Sequence, residues 1–228
     1  MSEKNWREWA FLFSMFGAVQ FFILTSIAMF FYAGGTAVDP DAPGYTFWAN
    51  FFSDLGRTRA WSGRDNTVSY IMFTITLILV GISGIIYGIA FYYFFTEVQL
   101  EKRLSIMGSI LLGINGILTV GIALSPWDIY LNQHLIFVQI SSFISLIGGI
   151  LYIYVIFHNK TFPNKIGYAI IVQLVSSILW MVIIILLRPS ISTINGLMLY
   201  TVSQKIFIYI AFACTFYMGY ISWKLVKT

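Results

Sequence analysis

Four residues in two connecting segments carry side chains that could perform acyl transfer or hydrolysis. Ser53 and Asp54 follow the first apolar stretch of the chain, and Asp128 and His134 follow the third. A serine nucleophile, a histidine base and an orienting carboxylate are the groups that such a reaction needs. Because no Gly-x-Ser-x-Gly motif surrounds Ser53, we favour a second interpretation, in which these residues form a hydrogen-bonded plug that caps helix ends and fixes a loop.

Four basic residues form a second candidate site. Arg57 and Arg59 lie close to the first pair, Arg188 follows the fifth apolar stretch, and Lys205 lies roughly 12 Å into the sixth. Arginine side chains bind phosphate with two parallel hydrogen bonds. A lysine at that depth either extends to the interface or needs a phosphate or one of the two aspartates as its partner. We therefore expect these four residues to bind a lipid headgroup.

The two histidines of the chain do not support a metal site. His134 and His158 are 24 residues apart, on either side of the fourth apolar stretch. A helix of that length is roughly 36 Å long, whereas zinc–nitrogen bonds are about 2 Å. A site with three histidines is therefore excluded, and one histidine with Asp54 and Asp128 stays open with little support. We expect no metal and no other cofactor.

The composition is typical of a membrane protein. The 228 residues are 59% hydrophobic and only 10% charged, with a mean hydropathy of +0.83, whereas a soluble domain has about a quarter charged residues. The net charge is +4, but the basic residues are scattered along the chain. Because nucleic-acid binding needs a clustered basic surface, we exclude that partner and expect membrane lipids instead.

Six apolar stretches are each long enough for a helix that crosses the roughly 30 Å hydrocarbon core of a bilayer. The sequence therefore predicts an all-α, polytopic membrane protein, in which residues 1–228 form one domain of six transmembrane helices. The loop at residues 34–67 is rich in aromatic residues and is expected to lie on the outer surface as an ordered cap. The helices are predicted at about residues 10–33, 68–95, 105–125, 135–157, 166–187 and 197–225.

Glycines predict close packing of the second and third helices. Gly84 and Gly88 form a Gly-x-x-x-Gly pattern in the second helix, and Gly113 and Gly116 lie in the third. Small residues at such spacings let the backbones of neighbouring helices approach each other in a membrane. We therefore expect these four glycines at helix contacts.

The distribution of Lys and Arg predicts the orientation in the membrane, because short cytoplasmic connections are enriched in these residues. One set of connections holds most of them and includes both chain ends. We expect both termini to be cytoplasmic and the plasma membrane to be the host membrane. The first set contains Lys4, Arg7, Lys102, Arg103, Lys160, Lys165, Lys224 and Lys227, and the opposite set contains Arg57, Arg59, Arg64 and Arg188.

A short motif in the first loop resembles a known family. Asn50-Phe-Phe-Ser-Asp-Leu-Gly56 follows a long first helix, Asn66 opens the second helix, and His134 opens the fourth. This pattern is similar to that of the six-helix damage-regulated autophagy modulator family, which includes Frag-like and Sfk-like proteins and related prokaryotic families of unknown function. The resemblance implies a six-helix fold and a role in membrane-lipid organisation, lipid-anchor maturation or autophagy.

By the same resemblance, the marked positions of the family fall on Ser53, Asp54, Gly56 and His134. The likeness covers the helix count and residues 50–158, and the last two helices add little. The chain departs from the pattern directly after Gly56, where Arg57-Thr-Arg59-Ala-Trp61 replaces the proline and the acidic residue often found there. The family's properties are therefore not carried over to that stretch.

Three functions stay open from the sequence. The leading hypothesis is a membrane protein whose outward-facing polar vestibule binds lipid headgroups. The second is a membrane-embedded lipid hydrolase or acyltransferase that uses Ser53 and His134. The third is a small transporter or a subunit of a membrane complex, for which a second copy of the chain or another membrane protein would be the partner.

Overall fold

The computed structural model describes residues 3–227 and contains six α-helices. All six are long and apolar enough to cross a membrane, so the predicted all-α, six-helix membrane fold is confirmed. A 3₁₀ turn follows the second helix, and a single π-helical turn at Ile183–Leu187 extends the fifth. The helices are α1 Glu3–Phe31, α2 Thr67–Phe91, α3 Gln99–Ala123, α4 Leu131–His158, α5 Lys165–Val182 and α6 Ile194–Lys227.

Several helices begin earlier than the apolar pattern predicts. The third begins at Gln99 rather than near Ser105, and the fourth begins at Leu131 rather than near Leu135. In both cases the additional turn contains polar side chains. Hydropathy marks only the part of a helix that lies in hydrocarbon, whereas the backbone hydrogen bonds continue beyond it.

The six helices form a closed bundle. Each helix packs against the next one in sequence, and α6 also packs against α1. Successive helices run in opposite directions, so both described chain ends, at residues 3 and 227, lie at one end of the bundle. Residues 32–66, which we call the cap, connect α1 to α2 at the other end, the cap end.

Glycines bring α2 and α3 together, but only partly as predicted. A Cβ atom on Gly81 would lie 2.5 Å from the carbonyl oxygen of Gly116, and a Cβ on Gly116 would lie 2.5 Å from that of Gly81. Gly88 also faces α3 closely, since its Cβ would lie 3.2 Å from that of Leu112. By contrast, a Cβ on Gly84 or Gly113 would meet no atom within 4 Å. The prediction that these two glycines lie at helix contacts is therefore wrong.

A buried carboxylate joins α3 to α4 at the end away from the cap. Glu101 is almost fully buried, and its Oε1 lies 2.9 Å from Nδ1 of His158. The side-chain amide of Asn159 donates to Oε2 at 2.6 Å. His158 and His134 therefore lie at opposite ends of α4, as the sequence predicts.

The orientation of the bundle is a prediction that cysteine labelling can check. Asp41 in the cap and Lys160 between α4 and α5 are exposed at opposite ends. In a chain with Cys214→Ala, a membrane-impermeant maleimide should label Asp41→Cys in intact cells and Lys160→Cys only after permeabilisation. The reverse pattern would show that the termini are not cytoplasmic.

Candidate functional site

The cap folds as an ordered layer over the end of the bundle. Gly34 and Gly35 have φ angles of 98° and 83°, which glycine adopts readily, and they turn the chain at the end of α1. A Cβ on Gly35 would lie 2.3 Å from the backbone nitrogen of Ser62, so only glycine allows the two cap segments to touch. Phe52 and Leu55 are buried against α1 and α2. Hydrophobic burial therefore fixes the cap to the helices.

Asp54 is the centre of the hydrogen bonding in the cap, where it lies fully buried in a short 3₁₀ turn. Its Oδ2 accepts hydrogen bonds from Asn50 Nδ2 at 3.0 Å and from the backbone N–H of Phe51 at 2.8 Å. The indole N–H of Trp61 donates to Oδ1 at 2.9 Å. Burial raises the pKa of Asp54, while these donors act in the opposite direction. All these contacts are within the cap.

Lys205 enters the cap from α6. It is 11 residues from the start of that helix, roughly 16 Å along its axis, and it is buried. Its Nζ donates to the backbone carbonyl of Asn50 and lies 5.5, 5.1 and 5.4 Å from the ring centroids of Tyr45, Phe47 and Phe52. Aromatic faces attract a cation at such distances. The amine is thus surrounded by cap residues and faces away from lipid.

A direct ion pair of Lys205 with Asp54 or Asp128, one of the alternatives that the sequence leaves open, is not formed. Among residues 5–227, no carboxylate forms an ion pair with this lysine. Asp54 is near enough to favour its positive charge electrostatically, and Asn50 lies between the two charges. The side chain of Asn50 donates to the carboxylate, and its carbonyl accepts from the lysine.

Two further residues of α6 hold the cap, and sequence reasoning missed both. Thr201 Oγ1 donates to the backbone carbonyl of Trp48, and Gln204 Oε1 accepts the backbone N–H of Phe52 at 3.1 Å. Together with Lys205, they lie within about one helical turn, on one face of α6. Polar residues at positions i, i+3 and i+4 of an apolar helix are the signal that could have revealed this face.

Asp128 joins the cap to the α3–α4 turn. Its carboxylate accepts the backbone N–H of Thr58 at 3.1 Å, the hydroxyl of Thr58 at 2.7 Å and the backbone N–H of Arg59 at 3.0 Å. Partial burial alone would raise the pKa of Asp128, but these hydrogen bonds outweigh burial and lower it. This carboxylate therefore acts as an anchor for the cap.

His134 lies at the start of α4 and is buried. Its Nδ1 is 2.9 Å from the carbonyl oxygen of Ser125, which can only accept, so Nδ1 carries a proton. Ser53 and His134 both line one cavity inside the bundle. The hydrogen bonds of residues 5–227 include none between Ser53 and His134, and none between His134 and either Asp54 or Asp128. The four predicted catalytic residues thus lie at one end of the bundle without forming a linked triad.

The predicted arginines lie at or beyond the bundle surface. The guanidinium carbon of Arg57 is 4.1 Å from the ring centroid of Trp61 and 5.0 Å from that of Trp127. Arg59 is exposed and donates from Nη1 to the carbonyl of Gly63 at 3.3 Å. Arg188 is exposed after the π-helical turn of α5. Their positions leave guanidinium groups at the cap end of the bundle.

Comparison of the chain with protein-family models, curated proteins and solved structures gives no match. The resemblance of the cap motif to the autophagy modulator family therefore stays a prediction. The site is characterised by its own geometry. In that geometry Asp54, Asp128, Lys205 and His134 each have a structural partner. The arginine side chains at the cap end and the cavity inside the bundle are therefore the candidate binding sites.

The Asp128 anchor predicts how easily the cap opens. Asp128→Ala removes a carboxylate that accepts hydrogen bonds from three donors, and each such bond is worth about 1.5–3 kcal/mol. Trypsin, which cleaves after arginine, should therefore cut the cap at Arg57, Arg59 or Arg64 about tenfold faster or more in the reconstituted variant. Asn132→Ala, which changes an exposed residue at the start of α4, is the matched control. Equal cleavage rates in the two variants would contradict the anchor role.

Proposed function

We propose that this multi-pass membrane protein binds lipid headgroups at its cap end through arginine side chains. One observation supports this most directly. The guanidinium group of Arg57 packs against two indole rings and donates from Nε to the carbonyl of Arg59 at 2.9 Å. Its two Nη atoms have no hydrogen-bond partner among residues 5–227. A guanidinium held in place with free donors is prepared for a phosphate.

Arg57, Arg59 and Arg188 form no close ion pair within residues 5–227, although the charge of Arg57 favours the ionised form of Asp54 from a longer distance. Arg57 and Arg59 are two residues apart in the cap, and Nε of Arg57 donates to the carbonyl of Arg59. Two cations in one short segment favour an anionic group beside them.

Exposed aromatic residues support a position at the lipid surface. Trp48 of the cap is 55% exposed, and Phe30 at the end of α1 is 83% exposed. Tryptophan is enriched at the boundary between hydrocarbon and headgroups, and Phe30 lies close to that level. These exposed aromatic side chains support a cap at the level of the lipid phosphates.

The sequence predicts that Lys205 binds a lipid headgroup, but in this proposal it holds the cap. Its amine is used by the cap carbonyl and by three aromatic rings. It holds the surface that presents the arginines, and the headgroup contacts are made by Arg57, Arg59 and Arg188.

A membrane-embedded hydrolase or acyltransferase is the second candidate. It is favoured by the shared cavity of Ser53 and His134. Because Nδ1 of His134 donates to Ser125, the neutral ring keeps a lone pair on Nε2 that could accept a proton from a serine hydroxyl. This candidate requires the serine hydroxyl to reach Nε2 of His134, and no hydrogen bond joins the two side chains among residues 5–227.

Charge reversal tests the headgroup proposal. The double variant Arg57→Glu and Arg188→Glu should bind phosphatidylglycerol about tenfold more weakly or worse, since each charge-assisted contact is worth about 1.5–3 kcal/mol. Native mass spectrometry of the purified protein with phosphatidylglycerol or phosphatidylcholine measures this change. A double variant with Lys160→Glu and Lys165→Glu, which reverses two charges at the opposite end, should bind like the wild-type chain.

If the arginine variant and the lysine variant retain the same amount of phosphatidylglycerol, the headgroup proposal is wrong. Addition of inorganic phosphate separates a lipid site from a simple anion site. We expect millimolar phosphate to displace little lipid, because the lipid is also held by its chains at the membrane surface.

A further inference from the structure

A cavity of about 410 Å³ runs through the interior of the bundle. It is lined by all six helices and is covered at the cap end by Phe52 and Ser53. Its size is that of a site for a small molecule. On α2 its lining extends from Phe73 to Phe91, a distance of roughly 27 Å along the helix. The cavity is therefore long and narrow, and it reaches across most of the bundle.

No side chain of the cavity lining carries a formal charge unless His134 is protonated. It contains no Asp, Glu, Lys or Arg. Hydroxyl and amide groups interrupt a mainly apolar wall, and several of them are unused. The side chains of Ser145, Gln173 and Ser177 have no hydrogen-bond partner among the described residues, although they line the cavity. Groups of this kind bind uncharged polar atoms.

An indole N–H in the lining is also without an acceptor. Trp180 lines the cavity, and its Nε1 is buried with no hydrogen-bond partner within residues 5–227. A buried donor without an acceptor destabilises the unliganded protein. A ligand with a hydroxyl or carbonyl oxygen would recover this free energy.

The polarity of the lining changes along the cavity. Near the cap it contains His134, Gln204 and Ser53, and towards the other end it contains Phe91 and Tyr152. The hydroxyl of Tyr152 is already used, since it lies 2.6 Å from Ser109 Oγ and donates to the carbonyl of Ser105 at 3.1 Å. The unused side chains of Ser145, Gln173 and Ser177 lie between these two ends, about half-way along α4 and the fifth span, so the polar groups that are free to bind lie towards the middle of the cavity.

We propose that this cavity binds one uncharged, single-chain lipid, such as a monoacylglycerol, with its polar head at the unused groups of α4 and the fifth span, which include Gln173 and Trp180, and its chain along the apolar parts of the wall. An extended chain fits a long, narrow volume. An ionised head would be buried without a counter-charge, which is strongly unfavourable. The site is separate from the arginine surface and does not depend on headgroup binding there.

Two glycines provide a matched pair of variants. Gly84 lines the cavity, whereas Gly113 does not, and a Cβ on either meets no atom within 4 Å. Gly84→Leu therefore fills the cavity without a clash at Cβ, and Gly113→Leu adds the same side chain outside it. Thermal unfolding of both purified variants shows whether the fold is retained.

The test is binding of monooleoylglycerol to the purified full chain, followed by native mass spectrometry. The wild-type chain and Gly113→Leu should bind one molecule per chain with equal affinity. Gly84→Leu should bind about tenfold more weakly or worse, because the leucine side chain occupies part of the volume that the ligand needs. Gln173→Leu, which keeps the volume and removes an unused amide, should also weaken binding. The arginine variant with Arg57→Glu and Arg188→Glu should bind as the wild-type chain does.

Several outcomes would overturn the proposal. One is the absence of saturable monooleoylglycerol binding to the wild-type chain, as expected for a cavity that holds only water. Another is equal binding by Gly84→Leu and Gly113→Leu. Equal or tighter binding of oleate, which has the same chain with a carboxylate, would show that the ligand need not be uncharged. Loss of binding in the arginine variant would show that the two sites are one.

Discussion

The structure depends on the burial of two opposite charges around one asparagine. Lys205 of α6 and Asp54 of the cap are both buried, and Asn50 contacts each of them, through its carbonyl and its side-chain amide. An isolated charge in a region of low dielectric is costly, and it is tolerated only when hydrogen bonds and an opposite charge compensate it. Asn50, Asp54 and Lys205 therefore hold the cap together, in addition to the burial of Phe52 and Leu55 and to the Asp128 anchor.

A second constraint acts on the rest of the cap. Buried backbone N–H and C=O groups outside a helix need hydrogen-bond partners elsewhere in the protein. Asn66 does this on the α2 side, where it accepts the N–H of Ala33 and donates to the carbonyls of Leu55 and Arg57. Asp128 does it on the α3–α4 side.

Two proposed binding surfaces depend on this anchoring. The backbone of the cap is fixed from several sides, so Arg57 and Arg59 are held at its outer surface. On its inner surface, Phe52 and Ser53 line the cavity. A cap that moved freely would provide neither a fixed set of donors for a phosphate nor a roof for a ligand. The headgroup proposal and the cavity proposal thus rest on separate surfaces of one rigid segment.

The lengths of the six apolar stretches were sufficient to predict the six helices, because a bilayer requires about 20 apolar residues per crossing. The depth of Lys205 was predictable for the same reason. Its partners were not, because a backbone carbonyl and three aromatic rings come together only when the cap folds. The prediction that Gly84 and Gly113 lie at helix contacts was wrong, since a glycine pattern does not show which face of a helix meets a neighbour. Trp61 became visible as a site residue only through its contact with Asp54.

The most direct test of this account is hydrogen exchange of the cap amides at residues 51–57 in lipid nanodiscs. Lys205→Met keeps most of the side-chain volume and removes the buried amine, and breaking a buried charge contact typically costs 3–5 kcal/mol. We predict that exchange at Phe51, Asp54 and Arg57 becomes faster by about a hundredfold. Lys224→Met, which changes an exposed lysine at the other end of α6, should leave these amides protected. Unchanged protection in Lys205→Met would contradict the account.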